Sequence, residues 1–287
     1  VELVKRGFWD IAAARMWAKR ISKVAYKRSG SKLENNGGLD KMSKCTTPLL
    51  PKINQLVTYD LAISFLTPHR IVAEKVKAKK KIAWIHTDYT RVWVDAEDEL
   101  KVWQKYDYVA SISGDVTNTF LQVFPSLAPK IVEIENILSP TFVRKRAELQ
   151  DVDKEIRHEG AITLLSVGRF SDAKNYDNVP DICKRLINET KLNIKWYIIG
   201  YGGDEALNQK KNKEAGMEEH VILLGKRSNP YPYIKACDIY VQPSRYEGKS
   251  VTVREAQMLC KPVVVTNYPT APSQIRSGID GVIVPMD

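Results

Sequence analysis

The second half of the chain alternates short apolar runs with amphipathic stretches, and this alternation constrains the fold more than any other feature of the sequence. Apolar runs occupy residues 162–167, 195–199, 221–224, 239–242, 263–266 and 281–284. Helix-like stretches separate several of them, at 179–189, 205–215 and 250–259. The run at 263–265 consists of three valines, and such continuously apolar strands are typical of sheets covered on both faces. Strands that alternate with helices predict a parallel sheet in a doubly wound α/β domain.

The first half shows the same alternation less regularly. Its apolar runs lie at 61–65, 82–85, 108–112 and 131–134, and its helix-like stretches at 95–105 and 115–124. Apolar residues at helical spacing also predict a helix over residues 8–19, whereas the polar stretch 29–51, with Asn35-Asn36-Gly37-Gly38, predicts a loop. The 287 residues exceed the usual share of one domain. Because the alternation breaks at 136–140 and a charged segment follows at 144–159, we predict two domains, 1–140 and 141–287.

Basic residues concentrate at the start of the chain. Nine Lys and Arg residues oppose two acidic residues over residues 1–32, a balance of +7 out of +10 for the whole chain, and more lysines cluster at 75–81. Such clusters attract phosphate groups, in nucleic acid or on an anionic membrane. The same helical stretch carries large apolar side chains: Phe8, Trp9, Ile11, Met16 and Trp17. We therefore expect this first segment to bind peripherally to a membrane surface. The alternative is that the apolar residues pack on the domain and the bases are solvated.

Cysteine usage and hydropathy bear on the compartment. The four cysteines form no CxxC pair and have no histidine at metal-ligand spacing, and Cys183, Cys237 and Cys260 lie in apolar stretches where we expect them in the core. No apolar run approaches the roughly 18 residues that span a bilayer, and no secretory signal opens the chain. These features favour a cytoplasmic protein, placed at the inner face of the cell membrane where it meets lipid.

Glycines and basic residues follow the predicted strands of the second half. In chain order they are Gly168, Arg169 and Lys174, then Gly200, then Arg227, and finally Gly248 and Lys249 in the loop that leads through Ser250 to Val251. Because the carboxyl ends of parallel strands meet at one edge of the sheet, we expect these groups to converge. Glycines let a backbone approach a ligand, a helix N-terminus supplies free N–H groups, and cations neutralise charge. This is the chemistry of a diphosphate site.

Two glutamates bracket the last of these loops. Glu247 lies in the loop, and Glu255 follows eight residues later in the predicted helix. A buried carboxylate beside phosphates is costly unless it accepts hydrogen bonds, and the hydroxyl groups of sugars and ribose can donate them. The alternative is a pair of solvated surface glutamates.

Two runs of the second half resemble motifs of glycosyltransferase family 4, whose members are retaining transferases of GT-B fold, with two Rossmann-like domains facing a cleft. They are 166–175 (Ser-Val-Gly-Arg-Phe to Lys-Asn) and 242–264 (Gln-Pro-Ser-Arg-Tyr-Glu-Gly, then Arg-Glu-Ala, then Lys-Pro-Val-Val). The resemblance implies that Arg169 and Lys174 hold the donor diphosphate. It further implies that Glu255 binds the ribose hydroxyls and that Glu247 contacts the transferred sugar.

The resemblance also assigns backbone and loop positions to the donor. It implies that the backbone around residues 248–251, at Gly248, Lys249, Ser250 and Val251, meets the sugar and the phosphates. The loop at Lys226-Arg227 is expected to lie against the base. Gly168 and Gly200 would let the strand ends approach the nucleotide.

A histidine of the first half resembles a further family feature. Residues 83–89 (Ala-Trp-Ile-His-Thr-Asp-Tyr) are similar to the family's strand-end histidine, which faces the donor sugar. This implies an active-site role for His86, with a structural role as the alternative.

The sequence departs from the family pattern at several points. Cys260 replaces a small residue, and Gln274 stands where an acidic residue is often found. The glycine-rich loop after the first strand of the N-terminal domain and the C-terminal helix that crosses back are absent. We therefore expect a GT-B fold incomplete at both ends, with a partial acceptor-side domain at 1–140 and a nucleotide-sugar-binding domain at 141–287.

The expected reaction is transfer of a hexose from a nucleotide diphosphate sugar, expected to be UDP-linked, to a saccharide or polyprenyl-diphosphate-linked acceptor. The resemblance is greatest to bacterial capsule and exopolysaccharide enzymes, which implies a role in cell-surface polysaccharide synthesis. No Asp-x-Asp pattern follows a strand where it could hold a diphosphate, so we expect no metal and no other cofactor. One alternative is a UDP-sugar 2-epimerase of the same architecture, against which the spacing of the glutamates argues. A basic nucleic-acid-binding protein is the other; the sequence has no recognised nucleic-acid motif, and we expect no such partner.

Overall fold

The computed structural model describes residues 2–35 and 37–286, so Asn36, within the predicted loop, lies outside the described residues. The chain divides into two compact units, Val1–Glu135 and Asn136–Asp287, called here the N-terminal and C-terminal units. The sequence places this division near residue 140.

The N-terminal unit contains a parallel sheet of four strands in the order β2-β3-β5-β6, and β1 pairs with β4 in a separate parallel ladder. The strands are β1 (Glu34–Asn35), β2 (Tyr59–Ser64), β3 (Ala78–Ile85), β4 (Val92–Trp93), β5 (Tyr108–Ser111) and β6 (Ile131–Glu133). The four apolar runs of the first half thus form the four strands of the larger sheet. One core cluster contains Ala83, Ile85 and Val109 from its strands, together with Trp103 and Phe120 from the helices beside them.

The helices of this unit are α1 (Glu2–Lys5), α2 (Trp9–Ser29), α3 (Gly37–Thr46), α4 (Arg70–Lys75), α5 (Ala96–Trp103) and α6 (Gly114–Val123). Helix α2 confirms the helix predicted over residues 8–19 and extends it. The loop predicted over residues 29–51 is wrong, because α3 and a 3-10 turn at Thr47–Leu49 occupy most of it.

Ion pairs explain why the apolar pattern did not reveal α3. Lys41 Nζ lies 2.5 Å from a carboxylate oxygen of Asp95, and Lys44 Nζ lies 2.7 Å from one of Asp98. Asp40 on the same helix is only 8% exposed. Charged side chains therefore take part in the packing of α3 against the rest of the unit. A search for apolar residues at helical spacing does not find a helix that packs in this way.

The C-terminal unit is a doubly wound parallel sheet of six strands in the order β12-β11-β10-β7-β8-β9. The strands are β7 (Ala161–Val167), β8 (Asn193–Ile199), β9 (Val221–Gly225), β10 (Ile239–Gln242), β11 (Val263–Thr266) and β12 (Val282–Val284). All six coincide with the predicted apolar runs within about two residues. The valines of β11 are buried or half-buried, as a strand covered on both faces requires.

The helices of the C-terminal unit are α7 (Pro140–Ala147), α8 (Asp153–Ile156), α9 (Val179–Thr190), α10 (Glu205–Ala215), α11 (Tyr231–Ala236) and α12 (Val251–Met258). Two core clusters fill the unit, one around Leu165, Tyr240 and Val265, the other around Trp196 and Ile198. The charged segment 144–159 contains the end of α7 and all of α8. The sequence also missed α11, whose six residues are too few to show a helical period.

The cysteines of this unit differ in burial. Cys183 and Cys237 are fully buried, as predicted, whereas Cys260 is exposed. Cys260 has φ +56° and follows the last turn of α12, so it is the residue that reverses the chain before β11. Its placement in the core was therefore a wrong prediction, since a helix-ending position faces outward.

Candidate active site

The strand order of the C-terminal unit reverses between β7 and β10. Both pair in parallel, with Ile239 opposite Leu164 and Tyr240 opposite Leu165, yet the chain leaves β7 toward β8 on one side and β10 toward β11 on the other. Loops that follow two such strands diverge and leave a crevice at the carboxyl edge of the sheet. The convergence of the predicted loops at one edge is thus confirmed.

Glycines permit the close approach of the first two loops. A side chain at Gly200 would overlap the carbonyl oxygen of Gly168, and one at Gly202 would overlap that of Phe170. A Cβ at Gly168 would lie 2.7 Å from the Tyr176 hydroxyl. These glycines therefore have a packing role within the loops, apart from any contact with a ligand.

Lys174 and Glu247 meet across the crevice between the loops after β7 and β10. The Lys174 ammonium lies 2.6 Å from Glu247 Oε1, with 18% and 12% of the two side chains exposed. The same oxygen accepts hydrogen bonds from Ser244 Oγ at 2.6 Å and from Gln242 Nε2 at 3.0 Å. Glu247 Oε2 accepts none from the residues that the structure describes. One carboxylate oxygen is thus held by three donors, and the other can receive a further hydroxyl.

Arg245 fixes the same two loops, and the sequence analysis assigned it no role. Its guanidinium donates to both carboxylate oxygens of Asp177 at 2.9 Å and to the backbone carbonyl of Asp172. The backbone N–H of Arg245 donates to the backbone carbonyl of Ala173. Paired N–H groups on one carboxylate give a well-defined geometry. Arg245 therefore sets the position of the short turn that carries Lys174, a pairing too distant along the chain for local spacing to predict.

Arg169 lies at the mouth of a cavity of about 260 Å³, lined also by Gly168, Gly200, Tyr201 and Lys226. The side chain of Arg169 is exposed and forms no ion pair with any described residue. The Lys226 ammonium sits 5.1 Å from the centre of the Tyr201 ring. The cavity thus combines an aromatic face with two cations, Arg169 and Lys226, that form no ion pair with a carboxylate of the described residues.

Arg227, predicted to contact the nucleotide, already has partners. Its guanidinium donates to Glu155 Oε1 at 2.9 Å and to the Tyr233 hydroxyl at 3.0 Å. The hydrogen bond to Glu155 raises the pKa of Arg227. The side chain also lines the cavity beside Arg169, so the structure gives Arg227 a structural contact at the edge of the candidate site.

Glu255 is buried on α12, with only 7% of its surface exposed. Its Oε1 accepts a hydrogen bond from the Tyr231 hydroxyl at 2.9 Å. Burial raises the pKa of Glu255. A buried carboxylate with a single described donor retains acceptor capacity, as a group that binds hydroxyls requires.

The N-terminus of α12 is held by Gln274. Its amide accepts from the Ser250 N–H and donates to the Ser250 carbonyl, both at 2.8 Å. Ser250, the N-cap residue, makes no side-chain capping bond, so the helix leaves N–H groups of its first turn, beginning at Val251, for other acceptors. Gly248 and Lys249 lie half-buried in the loop just before it. An amide can serve both groups of Ser250 at once, whereas the carboxylate often found at position 274 can only accept.

His86 belongs to the N-terminal unit, directly after β3. Its ring lies 4.5 Å from the ring of Phe65, and its Nε2 is buried with no hydrogen-bond partner among the described residues. Burial lowers the pKa of His86. An unpaired imidazole nitrogen at a strand end is compatible with a role at a ligand, which stays a prediction.

The described part of the chain, residues 2–35 and 37–286, contains neither a clustered metal site nor a membrane-spanning helix. No group of three or more His, Cys, Asp or Glu side chains in this part of the chain could hold a metal ion. No helix within it is long and apolar enough to cross a bilayer.

Two Rossmann-like units, the second with cations and carboxylates at its strand ends, are the architecture of the GT-B fold, which the chain shares with solved glycosyltransferase structures. Residues 149–287 match the sequence model of the family described as glycosyl transferases group 1. Among solved structures, TarM superposes with a TM-score of 0.61 and 18% identity, over 78% of this chain and 44% of TarM. HepE from Anabaena, in complex with UDP, gives a TM-score of 0.61 and 14% identity, over 86% of this chain and 68% of HepE.

The chain is also similar to curated proteins that are named glycosyltransferases. An uncharacterized glycosyltransferase of Methanocaldococcus jannaschii is 27% identical over 237 residues, 73% of this chain and 57% of the relative. A Campylobacter jejuni enzyme named N-acetylgalactosamine-N,N'-diacetylbacillosaminyl-diphospho-undecaprenol 4-alpha-N-acetylgalactosaminyltransferase is 28% identical over 192 residues, 65% of this chain and 48% of the relative. The amylovoran biosynthesis glycosyltransferase AmsD of Erwinia amylovora is 26% identical over 174 residues, which are 55% of this chain and 48% of the relative. The chain spans about half the length of these relatives.

Proposed function

We propose that the chain provides the donor site of a retaining glycosyltransferase that moves a hexose from a nucleotide diphosphate sugar to a saccharide or a polyprenyl-diphosphate-linked acceptor. The observation that carries this proposal is the crevice between β7 and β10, where Arg169, Lys174, Glu247 and the N-terminus of α12 belong to adjacent loops. The match of residues 149–287 to a transferase family favours it over an epimerase. The Campylobacter relative, named for a diphospho-undecaprenol acceptor, supports an acceptor on a lipid diphosphate, and the Erwinia relative, named for amylovoran biosynthesis, supports a role in polysaccharide synthesis.

The leaving diphosphate requires preorganised positive charge. Arg169 and the backbone N–H groups of the first turn of α12, which begins at Val251, supply it without rearrangement. Lys174 supplies positive charge when its ammonium leaves the Glu247 carboxylate and pairs with a phosphate oxygen of the donor instead. The exchange replaces one anionic partner of Lys174 with another. Glu247 then keeps the hydrogen bonds from Ser244 and Gln242 and accepts further hydrogen bonds from the hydroxyl groups of the transferred sugar.

The nucleoside end is assigned to Glu255 and the cavity beside Arg169. The buried carboxylate of Glu255 accepts hydrogen bonds from the ribose hydroxyls, with Tyr231 holding its other oxygen. The base lies in the cavity with the Tyr201 ring and Lys226. UDP is the proposed nucleotide, supported by the HepE neighbour, whose structure contains UDP. His86 is proposed to face the donor sugar, which rests on the family resemblance. We place the enzyme in the cytoplasm, peripheral to the inner face of the membrane.

A thermal-shift screen against nucleotide sugars tests the donor site, because a ligand that binds only the folded state raises the melting temperature. A UDP-sugar is expected to raise it, and Glu255→Gln is expected to remove most of the shift. Lys211→Gln is the matched control, since Lys211 is exposed on α10 and has no ion pair among the described residues. No shift with any nucleotide sugar would contradict the proposal.

Release of free UDP separates a transferase from an epimerase. A transferase is expected to release UDP quickly only when a saccharide or lipid-linked acceptor from the producing organism is added. Equal release with and without acceptor, together with an altered sugar, would establish the epimerase instead.

A further inference from the structure

Helix α2 exposes three of its largest apolar side chains, Trp9, Met16 and Trp17. Trp9 is 66% exposed, Met16 69% and Trp17 60%. The residues that α2 buries are small, Ala18 and Ser22. The sequence allowed the apolar residues of this stretch to pack on the domain instead. Ile11 is half-buried and Tyr26 packs edge-on against the Trp93 ring at 5.3 Å, whereas Trp9, Met16 and Trp17 remain exposed.

Basic residues share this outward face. At about 100° per residue, Arg20, Lys23 and Lys27 fall within roughly 60° of the direction of Trp9 and Met16. All six lysines and arginines of α2 are exposed, and none forms a salt bridge with a described residue. The one acidic residue of the helix, Asp10, accepts the N–H of Ile11 near its start. We call the exposed side of α2, from Trp9 to Arg28, the outer face.

We propose that the outer face of α2 docks in the plane of a bilayer that contains anionic phospholipids. Tryptophan and methionine enter the headgroup region while lysines and arginines contact lipid phosphates. The helix has 21 residues, a length of about 31 Å, with its exposed aromatics in the first half and its bases mostly in the second. Both kinds of group therefore touch the same plane.

The exposed aromatics decide between a membrane and a nucleic acid as the partner. Contacts with the phosphates of a nucleic acid need only the lysines and arginines of α2. The exposed tryptophans and methionine beside them find an apolar environment at a lipid interface. The purpose of docking rests on the proposed function, because a polyprenyl-diphosphate acceptor would lie in that membrane. The docking itself needs no substrate and is measured without one.

Vesicle co-sedimentation tests the proposal with three matched variants. Arg20→Gln/Lys23→Gln/Lys27→Gln removes charge from the outer face, and Trp9→Ser/Met16→Ser/Trp17→Ser removes its apolar groups. The control, Lys210→Gln/Lys211→Gln/Lys213→Gln, removes the same net charge from exposed positions of α10. Vesicles are either phosphatidylcholine alone or phosphatidylcholine with about a third phosphatidylglycerol.

The unsubstituted protein is expected to bind the anionic vesicles at least about tenfold more tightly than the neutral ones. Each base near an anionic surface contributes about fivefold to partitioning, so the charge variant is expected to lose about a hundredfold and the α10 control to change little. The apolar variant is expected to lose binding that high salt does not remove. Melting temperatures and thermal shifts with UDP-sugars are expected to be unchanged in all three, which separates loss of docking from failure of the donor site.

Three results would overturn the proposal. Equal binding to neutral and anionic vesicles would show that the bases do not meet lipid phosphates. Equal losses in the charge variant and the α10 control would show that only net charge matters. Displacement of the protein from vesicles by duplex DNA, with an apolar variant that binds normally, would identify nucleic acid as the partner.

Discussion

The ion pair of Lys174 and Glu247, within the proposed donor site, can be tested without a substrate. The two groups neutralise each other across 2.6 Å, and removing either leaves its partner uncompensated. Lys174→Met removes the cation and keeps an unbranched apolar side chain in its place. Arg169→Met is the matched control, because it removes one positive charge from the same strand end without breaking an ion pair.

The expected cost follows from the burial and the remaining partners of Glu247. Removing one member of a fully buried ion pair costs about 3–5 kcal/mol. Here Glu247 Oε1 keeps the hydrogen bonds from Ser244 and Gln242, and both charged side chains keep some contact with water. We therefore expect Lys174→Met to lower the free energy of unfolding by about 2–3 kcal/mol. For a unit of about 150 residues this lowers the melting temperature by roughly 4–12 °C.

Differential scanning calorimetry on a double-mutant cycle measures this coupling. Glu247→Gln is expected to cost about as much as Lys174→Met, and the double variant about 1–2 kcal/mol less than the sum of the two. Arg169→Met is expected to melt within about 1 °C of the unsubstituted protein, since Arg169 is exposed. Both Lys174→Met and Arg169→Met are expected to weaken donor binding about tenfold or more, because each removes a charge from the diphosphate site.

Additive effects of the two single substitutions would refute the reasoning, since they would show that the pair contributes no coupling. An unchanged melting temperature for Lys174→Met would do the same. A large loss of stability in Arg169→Met with normal donor binding would make Arg169 a structural residue.

The remaining predictions concern Glu255, metal ions and Glu99. Glu255→Ala is expected to weaken UDP-sugar binding by about 1.5–3 kcal/mol in calorimetry, the cost of a lost hydrogen bond to a charged group, and unchanged affinity would remove Glu255 from the ribose site. Transfer activity is expected to persist in excess EDTA, and loss that manganese restores would show that a metal carries the phosphate charge. Burial, then the neighbouring Asp40 carboxyl, raise the pKa of Glu99 in the N-terminal unit, so the folded protein keeps a proton that the unfolded chain loses near pH 4.5. The free energy of unfolding should therefore fall as the pH rises from about 4.5 toward the raised pKa, by up to about 1.4 kcal/mol per pH unit, and urea unfolding of Glu99→Gln should show a smaller slope.

Strand content was predictable because it follows from local apolar runs. Every strand of the larger sheets was found to within about four residues. The agreement is closest in the C-terminal unit, whose strands are mostly apolar, whereas β3 begins four residues before its apolar run because three lysines occupy its first half. Helix α3 was missed because Lys41 and Lys44 bind it to Asp95 and Asp98, which are more than 50 residues away. A pattern of hydrophobicity carries no information on such pairs.

The loops of the candidate site show the same limit. Spacing placed Arg169, Lys174 and Arg227 after strand ends, and the structure agrees. It could not show that Arg227 pairs with Glu155, 72 residues away, because nothing near either residue marks the contact. The role of Arg245 was hidden for the same reason, since its partner Asp177 lies 68 residues earlier.

These pairings change how the charge of the site should be counted. Of the four basic residues Arg169, Lys174, Arg227 and Arg245, the last three each have a carboxylate partner. A paired base fixes the loop that carries it, and it can bind a phosphate only by giving up or sharing its partner. Arg169 has no such partner among the described residues, so its full charge faces the cavity. The attraction of the site for a diphosphate therefore depends on Arg169 and the α12 N-terminus first, while Arg245 and Arg227 determine where those groups stand.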